Sequence, residues 1–273
     1  MRIPAPKAGA LLCALAVTGL LLGAAPAAAQ AKEAGRKVDP EADRILSAMS
    51  SYMTRLRAFS ADYDVDNEVI DTAGQKLQFS SSGSIAVQRP TRLHATRRGG
   101  FADAELFFDG RTATLLGKNE NVYMQVDGVS TIDEVIEALR TQADLDLAGA
   151  DLLYSNPAEG MLTDVTRGTY LGPAVVDGIL CDHLAFRAEK VDWQLWVQRG
   201  ETPLPLKYSI TSKWVTGAPQ YAVRLHHWNL QPQVDANRFQ FQPPAGVKRV
   251  DAVSTNELGE LSAQGAKEGG AQP

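Results

Sequence analysis

Cysteine is almost missing from this chain: of 273 residues, only Cys13 and Cys181 are cysteines. Cys13 lies in the leading apolar run, so a chain trimmed of that run keeps one thiol and no intramolecular disulfide. Small secreted domains lean on disulfides because their cores are small. A chain of this length can bury a core without them. Positive charge is also scarce, with 27 Lys plus Arg against 32 Asp plus Glu and a net charge of -5. That balance argues against a general nucleic-acid binder, whose footprint is basic. After Gly23 no apolar run reaches the roughly 20 residues a spanning helix needs. The chain lacks a Gly-x-Ser-x-Gly nucleophile elbow, a phosphate-binding glycine loop and a His-Glu-x-x-His helix. It also lacks a solenoid-length repeat. The expectation is no cofactor, no metal and no nucleic-acid partner.

What is present begins with an address. Arg2 and Lys7 precede an apolar run from Ala8 to Gly23, and Ala27-Ala28-Ala29 follows. A positive start, an apolar stretch and a small-residue cleavage site read as a secretory signal peptide over 1–29. Cys13 follows Leu12 rather than a small residue, so no lipid anchor is expected. Loss of Arg2 and Lys7 takes the net charge from -5 to -7. The expected destination is the periplasm, reached by a soluble chain with no remaining transmembrane segment. Residues 30–38 read as a flexible lead-in, 39–250 as a single folded domain, and 251–273 as a disordered tail of Ser, Ala, Gly, Glu and Gln.

Within the domain, Asp39 can cap a helix whose first turn accepts Pro40. Ala42, Ile45, Leu46, Met49, Met53 and Leu56 recur at three- and four-residue spacing and mark one apolar stripe. Phe59, Ala61, Tyr63 and Val65 then alternate with acidic residues, the pattern of a half-buried strand. Further strands and turns follow to Val126, with Asp109-Gly110 read as a hairpin turn. Thr131 to Tyr154 changes character and reads as short helices. Gly178–Phe241 is a train of alternating segments that holds all four tryptophans. Such a sheet needs a cover for its apolar face, and the helices supply it.

Few residues invite chemistry. Cys181 and His183 are two apart on one strand, about 7 Å by strand rise, too far for a nucleophilic pair without bending. His226 and His227, being adjacent, are expected on opposite faces. Asp62, Asp64 and Asp66 line an extended strand rather than a calcium loop. Asp182 and Asp192 could pair as carboxylates across a hairpin, but an ordinary ion pair with Arg187 explains a strand aspartate as well.

Several marks together resemble a known family. They are Gly83, Val87, Arg89-Pro90, Phe108-Asp109-Gly110, Asp151-Leu152-Leu153, Tyr170, Gly172 and Cys181-Asp182-His183-Leu184. Asp192-Trp193-Gln194, Trp196, Pro203-Leu204-Pro205, Pro219-Gln220-Tyr221, Phe239, Phe241 and Pro243-Pro244 complete the set. From about Asp39 to Val250 the chain resembles a bacterial family of predicted periplasmic proteins, domain of unknown function 2092. That family carries no assigned activity. More distantly, the order of elements is similar to the LolA/LolB lipoprotein carriers, from which the Asp182, His183 and Trp193 cluster departs.

The carrier resemblance implies an α+β fold. A strongly curved antiparallel sheet would form a half-barrel, covered by the long N-terminal helix and the short inserted helices. It implies an apolar cavity, with Met49, Met53, Phe79, Ile85, Leu106, Phe108, Trp193, Leu195, Tyr208 and Tyr221 as its expected lining. Arg89 takes the place of a lid-holding or polar-contact residue. The function so implied is noncatalytic binding of a lipid, a lipidated protein segment or another apolar ligand. The alternatives are an envelope protein-interaction or sensor module with a filled core, and a hydrolase built on Cys181, His183 and Asp182 or Asp192.

Overall fold

In the computed structural model, which describes residues 37–142, 145, 148–256 and 260–263, Asp39 caps helix α1 (Pro40–Arg55). Its carboxylate accepts the Glu41 N–H at 2.9 Å, and Pro40 fills a first-turn position that needs no donor. Ala42, Ile45, Leu46, Met49 and Met53 form the buried stripe. Each large side chain so buried contributes about 1.5–3 kcal/mol. Leu56 turns extended and ends the helix. The expected signal peptide lies outside the described residues.

Six strands follow as an antiparallel meander: β2 (Ala58–Ile70), β3 (Lys76–Gln88), β4 (Arg92–Gly99), β5 (Asp103–Phe108), β6 (Thr112–Gly117) and β7 (Val122–Asp127). Asp109 builds its turn by accepting from the Arg111 and Thr112 N–H groups. The inserted segment holds α2 (Ile132–Gln142), a short 3-10 turn at Ala150–Leu153, and α3 (Pro157–Leu162). Its entry is double-capped: the Thr131 hydroxyl accepts from Glu134 N–H, and the Glu134 carboxylate accepts from Ser130 N–H.

A second antiparallel run comprises β8 (Val165–Val176), β9 (Ile179–Ala188), β10 (Val191–Gln198), β11 (Pro205–Ser212) and β12 (Gln220–Asn229). β12 pairs with β2 and joins the two runs into one sheet. Two-residue strands extend it at both ends in parallel: β1 (Lys37–Val38) on β8 and β13 (Lys248–Arg249) on β7.

The thirteen strands run in the order β1-β8-β9-β10-β11-β12-β2-β3-β4-β5-β6-β7-β13. This corrects the expected half-barrel. The sheet is open and mixed; its ends, β1 and β13, do not pair, and it is neither closed nor strongly curled. Apolar alternation reveals which residues share a face. It carries no information on curvature, and two-residue edge strands are too short to show any period.

The expected tail begins at Asp251. Among its described residues, β14 (Val253–Thr255) and β15 (Leu261–Ala263) pair as a hairpin, with Val253 and Leu261 buried. Among the described residues no helix is long and apolar enough to cross a membrane.

One glycine shapes the inner face. Tyr63 lies opposite Gly83 and crosses it so that its hydroxyl donates to Thr96 O at 2.6 Å. A Cβ on Gly83 would stand 1.9 Å from Thr96 O and 2.6 Å from Tyr63 Cζ. The missing side chain is what allows the phenol to reach across β3.

Candidate functional site

The inner face of the central strands does not fill completely. A cavity of about 700 Å³ remains between the sheet and its cover. The apolar part of its floor is Tyr63 and Val65 from β2, Ile85 from β3, Leu93 and Ala95 from β4, and Leu106 from β5. Trp193 of β10, Tyr208 of β11, and Val223, Leu225 and Trp228 of β12 continue it. Its roof is the cover: Met53 of α1, Ile136 and Arg140 of α2, residues 148–153, and Met161 of α3. Thr255, the last residue of the short strand Val253–Thr255, and Asn256 after it also border it.

Six of the ten residues expected from the sequence lie here: Met53, Ile85, Leu106, Trp193, Tyr208 and Tyr221. Four sit elsewhere. Met49, Phe108 and Leu195 are fully buried in the packed core. Phe79, half-buried, meets the edge of Phe101 at 5.3 Å between ring centres. Periodicity selects the inward face but cannot divide it into filled and unfilled parts.

Polar groups border the cavity on both sides: Asn67, Glu68, Arg97 and Gln220 from the strands, Arg140 and Asp151 from the roof. Arg140 donates to Asp151 Oδ1 at 2.9 Å and to the Tyr154 hydroxyl at 2.7 Å, while Tyr154 donates to Glu137. Burial, with Asp151 nearby, pushes the Tyr208 phenol well above its ordinary range. Burial also pushes Tyr63 up to about 12. Both therefore stay neutral in neutral water. Trp228 has its indole N–H buried with no acceptor among the described residues. A buried donor left unpaired costs about 1–3 kcal/mol.

Arg89, at the end of β3, donates to Leu153 O at 2.7 Å. Its guanidinium also stands 5.9 Å from the Phe59 ring centre. Its Nε and second terminal nitrogen are buried without acceptors among the described residues, and burial pulls its pKa down. The contact ties the sheet to the inserted segment that roofs the cavity.

The residues considered for hydrolysis do not converge. Cys181 is fully buried, donates to Ile179 O at 3.4 Å, and has its thiol pushed up by burial. His183 stacks on Trp196 at 4.1 Å and meets Gln194 Oε1 at 2.9 Å; burial lowers its pKa. Asp182 accepts from Arg199 at 2.6 Å and Tyr170 at 2.8 Å. Asp192 pairs with Lys213 at 3.0 Å and Arg187 at 3.4 Å. Asp182 lies opposite Val197, five residues along β10 from Asp192, so the carboxylates stand about 17 Å apart by strand rise.

Sequence reasoning missed Trp228, Arg140 and Asp151. Trp228 escapes the count because of a bulge: β12 uses three residues from His226 to Asn229 where β2 uses two from Asp62 to Ser60. The extra residue returns Trp228 to the inner face. Arg140 could have been found from its place in the last turn of an amphipathic helix, near the Asp151-Leu152-Leu153 mark.

No curated protein matches this sequence. Among solved structures, the chain is similar to an uncharacterised conserved protein from Thermus thermophilus, at 9% identity and a TM-score of 0.46, covering 77% of this chain and 99% of that one. It is similar to LprF from Mycobacterium bovis at 13% identity and a TM-score of 0.42, covering 72% and 97%. It is also similar to a LolA superfamily protein from Nitrosomonas europaea at 10% identity and a TM-score of 0.35, covering 73% and 97%. The family model described as "Predicted periplasmic protein (DUF2092)" matches residues 42–253, most of the chain, and the chain belongs to that family.

Proposed function

We propose that this chain is a noncatalytic periplasmic protein that holds an apolar ligand, a lipid or the acyl part of a lipidated segment, in the cavity beneath its inserted helices. The observation that carries this reading is the 700 Å³ space floored by Val65, Ile85, Leu106, Val223 and Leu225. Each methylene transferred there from water contributes about 0.8 kcal/mol, so an acyl chain binds without special polar chemistry. The Trp228 N–H, without an acceptor among the described residues, adds a donor for a ligand ester or carbonyl oxygen. Export through a cleaved signal over 1–29 belongs to the same reading, and Arg89 serves in it as a latch on the roof.

The test is native mass spectrometry of mature chain purified gently from a periplasm, with lipid analysis of an organic extract. A stoichiometric apolar adduct is expected, lost in a Leu106→Glu variant that keeps its circular dichroism. A bare mass with no lipid in the extract would overturn the reading. A second reading, binding of an envelope protein, is favoured by the exposed Leu171, Val175, Ile179 and Leu180 near the β8–β9 hairpin. It would then take precedence.

A further inference from the structure

We propose that Asp62, His226 and His227 form a binding site for one divalent first-row transition-metal ion on the outer face of β2 and β12. The site lies across the sheet from the cavity and is independent of what the cavity holds. Adjacent strand residues ordinarily face opposite ways. Here the bulge between His226 and Asn229 breaks that rule. His227 takes φ 50°, a left-handed conformation in which histidine is enriched among non-glycine residues. Both imidazoles thus meet over Asp62, the register partner of His226.

The distances are those of ligands to a shared ion. The two Nδ1 atoms are 3.2 Å apart, and His227 Nδ1 is 3.0 Å from Asp62 Oδ2. One ligand atom from each of the three residues falls within a 4.8 Å span. Two nitrogens about 2.0–2.1 Å from a tetrahedral zinc ion lie about 3.3 Å from each other.

Proton counting points the same way. His226 Nε2 stands 3.2 Å from Asp64 Oδ2. An ionised carboxylate only accepts, so Nε2 carries the proton and the neutral ring keeps its lone pair on Nδ1. That lone pair faces His227 Nδ1, which itself faces Asp62. A single proton on His227 Nδ1 serves only one of these two acceptors. A cation among the three satisfies all of them.

The surroundings support the ligands. Asp64 orients His226 as the carboxylate of a carboxylate–histidine–metal arrangement, and Ser82 donates to Asp64 at 2.6 Å. Arg224 also approaches Asp64, at 4.0 Å. His227 is exposed, so an ion enters from solvent and water completes its coordination. Two imidazoles and one carboxylate suit zinc, copper or nickel rather than calcium or magnesium.

The experiment titrates the full mature chain with zinc chloride by isothermal calorimetry at pH 7.5. One equivalent is expected to bind. His227→Gly, which keeps the left-handed backbone accessible, and His226→Ala are each expected to weaken binding by at least about tenfold. Asp64→Asn is expected to weaken it by about 10–100-fold through the outer contact alone. His94→Ala and His183→Ala, the other two histidines, are expected to leave it unchanged. Absence of stoichiometric binding by the native chain would overturn the proposal. So would binding that survives in folded His226→Ala and His227→Gly, or that is lost with His94 or His183.

Discussion

Two parts of the inner face are built from the same kinds of residues and end differently. Where α1 lies over β8 and β10, Leu46, Met49, Leu184 and Leu195 are buried completely and do not line the cavity. Where residues 148–153 lie over β2, β3, β5 and β12, a cavity remains. The strands do not explain the contrast, since both parts present Leu, Val and aromatic side chains inward. The covers do. A sixteen-residue helix delivers a large side chain every three or four positions. The inserted segment is broken: Gly149 takes φ 86° ahead of a four-residue turn. Among its described residues it has too few large side chains to fill the space beneath it.

The most damaging change should be Gly83→Ala, because it strikes the wall of the hollow part through the backbone. The added carbon would meet Thr96 O at 1.9 Å, a distance no rotamer can relieve. A loss of more than about 3 kcal/mol is expected in urea unfolding, at the high end for overpacking. A loss below about 1 kcal/mol would mean that β4 moves aside freely and that Tyr63 does not depend on the gap.

Next in size is the direct contrast between the two parts. Leu46→Ala and Leu195→Ala each open a new void in solid packing and should cost about 2–5 kcal/mol. Leu106→Ala and Leu225→Ala only enlarge an existing space, so about 1–2 kcal/mol is expected, mostly the transfer of lost methylenes. Equal losses at all four positions would break the distinction between a filled and a hollow half.

Legibility in the sequence follows the same divide. Asp39-Pro40 and the stripe from Ala42 to Met53 have fixed spacing, so the helix and its buried face could be read. Alternation through β2, β9 and β10 was equally plain, and it placed Tyr63, Leu184 and Trp193 inward. Three features had no local signal. The openness of the sheet depends on how all its strands twist together, a sum no short window contains. The pairing of β1 and β13 rests on two residues each. The bulge after His226 appears only when β12 is laid beside β2, and it moves Trp228 into the cavity and His227 out of it. Met49 and Leu195 were misassigned to the cavity because the cover, rather than the strand pattern, decides where space is left.

A smaller effect is expected at the latch between sheet and cover. Arg89 gains one hydrogen bond to Leu153 yet buries two nitrogens without acceptors among the described residues. Arg89→Met should therefore change global stability by no more than about 1 kcal/mol. The amide protons of residues 149–153 should nonetheless exchange several-fold faster, since the tie to the roof is gone. Unchanged exchange would show that the roof is held by Arg140 and Asp151 instead.

The smallest effect concerns the outer side of the cavity wall, where Glu105 sits next to Leu106 on β5. His94 at 3.7 Å and the Lys118 ammonium pull the Glu105 carboxyl from 4.5 down to about 2, against the opposing pull of burial. A folded pKa below the unfolded one means the native state holds its proton less tightly. The resulting stability is fully present above pH 4.5 and is lost as pH falls toward 2. Solvent around the pair screens it, so the loss across that window should be about 1 kcal/mol. Glu105→Gln should flatten this part of the curve while leaving the filled half, probed by exchange under α1, as acid-resistant as before. A curve unchanged by Glu105→Gln would place the acid sensitivity elsewhere and remove the hollow half's claim to be the more labile of the two.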